Sequence, residues 1–242
     1  MNNDEYINIY NLSSKHWWYQ GMKVITMTLL KKYLSTNKKI EVLDAGCGTG
    51  FMLPHLGIFG DVQGIDLSDE ALRICHEQKF YMAQKASIDD IPFKDNYFDL
   101  LVSLDVLYHK DIKDDLIALK EFYRVLKNNG YLMIRVPADT VPFSNHDKIV
   151  VTRIRYTKKE LKNKIQETGF KIKKLTYANC FLYPLAYIKR LFEDDNNTKS
   201  DIQKTNRLIN TMLYRILSHE AKLLKYINLP WGTSLICIAQ KK

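Results

Sequence analysis

Nine residues constrain this chain more than any others: Val42-Leu43-Asp44-Ala45-Gly46-Cys47-Gly48-Thr49-Gly50, an apolar strand-like entry running through an acid into a Gly-x-Gly-x-Gly turn. Glycines at alternate positions let the backbone turn sharply and let a ligand approach the main chain, because no Cβ stands in the way. A dinucleotide site instead holds an anionic pyrophosphate at a helix N-terminus and spaces its glycines Gly-x-Gly-x-x-Gly. Asp44, two residues before Gly46, would repel that anion and suits a cationic ligand. Taken alone, the turn also fits a tight strand-to-helix connection, so its surroundings decide.

Those surroundings alternate strand and helix. Asp61-Val62-Gln63-Gly64-Ile65-Asp66 reads as a second strand ending in an acid, with Ser68 capping the helix that follows. Asp66 lies twenty residues after Gly46, and a carboxylate at the end of a second strand accepts hydrogen bonds from ribose hydroxyls. Residues 80–87 hold a third strand, and Phe98-Asp99-Leu100-Leu101-Val102-Ser103-Leu104 has the near-continuous apolar run of a buried parallel strand. The next helix carries Leu116, Leu119, Tyr123 and Leu126 on one face and stops at Asn128-Asn129-Gly130, before a fifth strand at 131–136. The alternation predicts a doubly wound α/β sheet whose ligand sits beyond the carboxyl ends of the strands, where Asp44, Asp66, Leu104, Asp105, Pro137 and Ala138 fall.

The flanks read as additions to one domain spanning 1–242. Residues 1–39 form a helical lid: a polar start at 1–13, Ser14 as N-cap, then Trp18, Met22, Ile25 and Leu29 at helical spacing. The opening His16-Trp17-Trp18-Tyr19 fits core filling or the cover of a pocket. Residues 137–156 are an irregular excursion, Thr157-Lys158-Lys159-Glu160 matches a capping box, and Gly169 ends that helix. After a sixth strand at 170–177, an insertion at 178–232 holds an apolar stretch at 181–188, a polar loop at 193–201 and a long helix over about 206–227. The last strand covers 234–239 within the closing segment 233–242. Packing into the core is the expected fate of 181–188. Peripheral membrane contact through it and the nearby Lys189-Arg190 is the less favoured reading. The apolar run 180–188 is nine residues with a proline, too short to span a bilayer.

The 36 Lys and Arg against 27 Asp and Glu leave a charge of +9, but the lysines are scattered through 31–39, 158–174 and 222–242, as on a solvated surface. Cys47, Cys75, Cys180 and Cys237 form no C-x-x-C pair and no metal-ligand spacing with histidine. Reduced thiols and no visible export signal make a cytoplasmic protein the expectation, and no metal is expected.

Four motifs in order resemble the class I S-adenosylmethionine-dependent methyltransferases: Val-Leu-Asp-Ala-Gly-Cys-Gly-Thr-Gly at 42–50, Gly-Ile-Asp-Leu-Ser at 64–68, Ile-Pro-Phe-Lys-Asp-Asn-Tyr-Phe-Asp at 91–99 and Arg-Val-Leu-Lys-Asn-Asn-Gly at 124–130. The resemblance covers the cofactor-binding half, 40–136, and implies a seven-stranded Rossmann-like sheet with an antiparallel last strand. It implies that Gly46, Cys47, Gly48 and Gly50 approach the methionine part of S-adenosylmethionine and that Asp44 supports its cationic end. Asp66 would hold the ribose, Leu67 would lie by adenine and Leu104 would face the methionine moiety. Where many relatives have an aspartate at the adenine amine, Ser87-Ile88 stands here, which leaves a hydroxyl or main-chain contact. The flanks resemble a narrower group found with polysaccharide and glycan biosynthesis genes, through His16 to Tyr19, Ser144-Asn145-His146-Asp147, Arg155-Tyr156-Thr157 and Leu229-Pro230-Trp231-Gly232-Thr233-Ser234-Leu235. A second histidine usual before the Arg-Tyr pair is Thr152 here.

Methyl transfer from a sulfonium is an in-line displacement in which the protein mainly aligns the reacting atoms. A hydroxyl acceptor gains from a base that takes its proton, whereas an amine need only arrive neutral. The candidate bases are His109 and the His146-Asp147 pair; Trp18, Tyr19, Tyr108, Arg155 and Tyr156 are candidate acceptor contacts. The expected function is methylation of a small molecule or glycan precursor, at oxygen. N-methylation of a small amine or peptide is the near alternative, and a cofactor-binding protein that methylates nothing is the alternative of another class. Nucleic acid is not expected, because Leu104-Asp105-Val106-Leu107-Tyr108-His109 lacks the Asn- or Asp-Pro-Pro-aromatic segment of base-methylating relatives.

Overall fold

The computed structural model describes residues 3–34, 38–140, 147, 149–192 and 205–242. Seven strands form one sheet: β1 (Ile40–Ala45), β2 (Gly60–Asp66), β3 (Ala83–Lys85), β4 (Phe98–Leu104), β5 (Leu126–Pro137), β6 (Lys171–Ala178) and β7 (Ser234–Gln240). Their order across the sheet is β3-β2-β1-β4-β5-β7-β6. β7 runs antiparallel to both of its neighbours, and the other pairings are parallel, as the resemblance implies.

Successive side chains of a strand point to opposite faces, so a sheet covered on both sides reads as a continuous apolar run. Leu101, Leu132, Ile134 and Leu235 pack on one face with α5 (Asp115–Val125) and α6 (Lys158–Glu167). Val42, Leu100, Val102, Met133 and Ile236 pack on the other with α2 (Trp17–Tyr33) and α8 (Arg207–Leu224). Gly21 lets α2 and α8 touch, since a Cβ there would lie 2.4 Å from Leu217 Cδ1. The α6 capping box and the Ser68 cap of α4 (Asp69–Glu77) form as the sequence predicts.

Several expectations are corrected. The polar start folds as a helix, α1 (Asn3–Ser13), and Ser14 lies in the turn after it. His16 is the N-cap of α2, its Nδ1 accepting from Trp18 N–H at 3.3 Å, because the Lys15 and His16 N–H groups fold back onto Leu12 O and so close α1 there. The fifth strand begins at Leu126, which pairs with Phe98; a register shift takes up the Asn-Asn-Gly segment before Tyr131 pairs with Leu100. The apolar stretch at 181–188 does not pack into the core: α7 (Tyr183–Leu191) contains no buried residue, although the preceding Cys180 and Leu182 are buried. The polar loop at 193–201 lies outside the described residues. No helix among the described residues is long and apolar enough to cross a membrane.

Candidate functional site

The glycine turn leaves β1 at its carboxyl end. Gly46 has φ +87°, and a Cβ there would lie 2.2 Å from Val106 Cγ2, so no other residue fits. Gly48 has φ +53°, and nothing stands within 4 Å of where its Cβ would be; its open side leaves room for a ligand. Asp66, at the end of β2, accepts the Gly48 N–H at 2.8 Å and the Ser68 N–H at 2.9 Å.

Above this turn opens a cavity of ≈ 440 Å³. Asp44, Gly46, Cys47, Gly48, Asp66, Leu67, Ile88 and Leu104 all line it, as do Trp18, Tyr19, Tyr108 and His109. Two predicted cofactor residues are not brought to its wall: Gly50 faces Phe80 and Cys75, and the Ser87 hydroxyl is engaged by Asp89. Tyr6 and Ile9 of α1 line it too, so α1 and α2 both contribute to its wall.

Carboxyls dominate the electrostatics here. Burial, with Asp66 close by, pushes the Asp44 carboxyl up to about 7, against a partial opposing pull from Arg135. Burial also raises Asp66, opposed by its backbone N–H bonds. Arg135 on β5 is held between Asp105, at 2.6 Å, and the Trp18 ring, 5.2 Å from its centroid. Asp105 has φ +59°, a strained backbone for a residue with a side chain, and it points back at Arg135 from just beyond β4.

A second cavity, of ≈ 260 Å³, adjoins the first, and Trp18, Asp105, Tyr108 and Val150 line both. Trp17, Leu182 and Leu185 give it apolar walls. In its wall the buried side chains of Asp147 and Arg155 form a two-pronged ion pair, Arg155 Nη2 donating to Oδ2 at 2.6 Å and Nε to Oδ1 at 3.1 Å, with Arg190 3.8 Å away. Asn179 Oδ1 and Thr152 Oγ1, in the same wall, are buried with no hydrogen-bond partner among the described residues. The amide oxygen can only accept, and the hydroxyl can accept or donate. Glu220 of α8, fully buried, accepts the N–H groups of Asn179 at 2.5 Å, Cys180 at 2.8 Å and Phe181 at 3.2 Å, which fixes the turn between β6 and α7.

His109 Nδ1 lies 3.2 Å from Asp111, and burial holds the imidazole below its ordinary 6.5, with Asp111 opposing. Tyr156 reaches neither cavity: its hydroxyl donates to Asp115 at 2.6 Å in the core beneath. His146 lies outside the described residues. Sequence reasoning missed Arg135, Tyr6, Asn179 and Glu220. Arg135 carried a signal, since a lone cation inside Leu-Met-Ile-Arg-Val must have a buried anion. The other three carried none, because each acts on a partner distant in sequence.

Residues 43–134 match the family described as a methyltransferase domain. The chain is 35% identical over 113 residues to an uncharacterised protein of Methanocaldococcus jannaschii, an alignment covering 46% of each. It is 33% identical over 110 residues to a demethylmenaquinone methyltransferase of Staphylococcus aureus, covering 42% of this chain and 45% of that one. The matched region is thus less than half the length of these curated relatives. Among solved structures, a SAM-dependent methyltransferase from Thermotoga maritima, described as a possible histamine N-methyltransferase, superposes with TM-score 0.59 at 19% identity, covering 99% of this chain and 96% of that one. That likeness speaks to the fold alone. With the glycine turn, the two strand-end acids and the antiparallel β7 in place, residues 43–134 match a methyltransferase domain, and the fold is the Rossmann-like one of S-adenosylmethionine-dependent methyltransferases.

Proposed function

We propose that this chain transfers a methyl group from S-adenosylmethionine to the oxygen of a small molecule or glycan precursor. The observation that carries the reading is the shared wall: a carboxylate-floored cavity and a mostly apolar one meet at Trp18, Asp105, Tyr108 and Val150. The first cavity fits the donor by its chemistry. Asp44 is a buried carboxyl whose ionised form lacks a full countercharge, so a cation beside it is favoured, and Gly48 leaves a cradle that a Cβ would fill. The cofactor, when bound, supplies a methyl group already activated on a sulfonium.

In this reading Asp66 takes the ribose hydroxyls on lone pairs left over from its two backbone bonds, and Leu67 and Ile88 flank the adenine. Trp18 and Tyr108 hold the acceptor against the donor cavity. Asn179 Oδ1 and Thr152 Oγ1 accept from acceptor hydroxyls, which orients the nucleophilic oxygen. His109, neutral near pH 7, takes the hydroxyl proton as the new bond forms. Asp147 is committed to Arg155 and so shapes the wall, and His146 keeps its sequence assignment as the alternative base.

Methyl-labelled cofactor incubated with the protein and a panel of sugars, glycan precursors and small amines tests the proposal by mass spectrometry of the products. An O-methylated product supports it, and labelled amines would move the chemistry to nitrogen. Tight cofactor binding with no labelled product across the panel would replace it with a binding-only role.

A further inference from the structure

The outer face of α7 and α8 is built against the rule that amphipathic helices bury their apolar side. Phe181, Leu185, Ile188 and Phe192 follow at spacings of four, three and four, one stripe along α7 and its flanks, and they are 51, 61, 53 and 84% exposed. On α8 the inward face buries Leu213, Leu217 and Leu224, yet Leu208 and Met212 stand 81 and 55% exposed. Phe181 shares a surface groove with Leu208, Met212 and Ile216, so the two helices present one apolar patch. A patch of this kind marks an interaction surface.

Its charge selects the occupant. Described residues 181–192 and 205–219 contain no Asp or Glu; of their cations Lys189 and Arg190 line the second cavity, Arg190 lying 3.8 Å from Asp147, which leaves Arg207 and Arg215 to set the charge of the outer face, while Glu193, Asp194, Asp195 and Asp201 lie outside the described residues. Arg207 and Arg215 line the groove itself, beside Leu208 and Met212. A second copy seated on this face about a two-fold axis would bring these cations against their own kind with no carboxylate in the described face to answer them. An anionic bilayer surface answers both features: its headgroups attract the arginines, and the boundary beneath them takes the apolar stripe. We propose that the α7 and α8 face docks on anionic lipid membranes. The proposal does not rest on methyl transfer, since a chain inactive toward every acceptor could still bind vesicles.

Co-sedimentation of the full chain with phosphatidylcholine vesicles, with and without phosphatidylglycerol, tests it. Binding is expected only when phosphatidylglycerol is present, and it falls as salt rises. The double substitution Leu185→Glu/Ile188→Glu, and separately Arg207→Glu/Arg215→Glu, lowers the partition coefficient at least about tenfold. Ile58→Glu/Ile117→Glu, at exposed apolar positions off this face, leaves it unchanged. If Leu185→Glu/Ile188→Glu lowers the unfolding midpoint, the arginine pair on α8 carries the test. Failure of the wild-type chain to sediment, or binding that survives the substitutions on this face, overturns the proposal. So does a concentration-dependent dimer that these substitutions abolish in a chain that ignores vesicles.

Discussion

Asp66 Oδ2 accepts the Gly48 N–H at 2.8 Å, so the end of β2 holds the turn that leaves β1. Asp66→Ala leaves that donor and the Ser68 N–H without their acceptor and is expected to cost about 1–3 kcal/mol in denaturant unfolding. Calorimetry should show cofactor affinity reduced at least about tenfold, the scale of one lost charge-assisted contact. Unchanged affinity would defeat the ribose assignment.

Asp44 makes the first cavity sensitive to pH. A carboxyl whose folded value is raised from 3.8 to about 7 binds its proton more tightly folded than unfolded. Stability therefore falls as pH rises from about 4 to 7, by up to about 4 kcal/mol, and Asp44→Asn should stabilise the chain at pH 8 more than at pH 4. A cation arriving beside Asp44 drives its proton off, so below pH 7 cofactor binding should release a proton. Titrations in buffers of different ionisation enthalpy read that release, which Asp44→Asn removes.

His109 is held below 6.5 mainly by burial and is therefore mostly neutral at pH 7. If it is the base, the rate should rise with pH through a value below 6.5 and then level off. His109→Gln should lower turnover about 100-fold or more while sparing cofactor affinity. A profile and turnover unchanged in His109→Gln, with loss in His146→Ala, would transfer the role to His146.

The Asp147–Arg155 pair tests the wall of the second cavity. Arg155→Met removes the nearer cation from the buried Asp147 carboxylate, leaving Arg190 at 3.8 Å, and should cost up to about 3–5 kcal/mol in stability. Asp147→Leu combined with Arg155→Met should recover much of that loss, because the two desolvation costs vanish together. A double variant as unstable as the single one would show that the pair is not the main partner of each residue.

How much of this was legible in the sequence follows physical range. The glycine turn, Asp66, the Ser68 cap and the Thr157 capping box are set by neighbours within a few residues or by the strand-end rule, and the structure forms each of them. α1 was not legible because its apolar positions form no clear stripe. Its buried residues are Glu5, Leu12 and Ser13, two of them polar, while Tyr6 and Ile9 line the first cavity. Ser14 was the better cap by residue type, but the turn that closes α1 placed His16 at the start of α2. Residues 181–188 looked like core from hydropathy alone, which cannot tell an apolar stripe facing inward from one facing out. Arg135, a cation inside an apolar strand, carried an anomaly visible in the sequence, as did Asp44 beside the turn.

Glu220→Ala would leave three N–H groups of the 179–181 turn without their acceptor and is expected to cost at least about 3 kcal/mol, measured by denaturant unfolding. The same carboxylate makes this wall modular. The segment that walls the second cavity from Asn179 onward is riveted to its own closing helix by one side chain that travels with it. A graft of residues 179–224 onto another sheet of this topology would bring its fastening along, so the wall of the second cavity could be exchanged while residues 40–136 stay as they are.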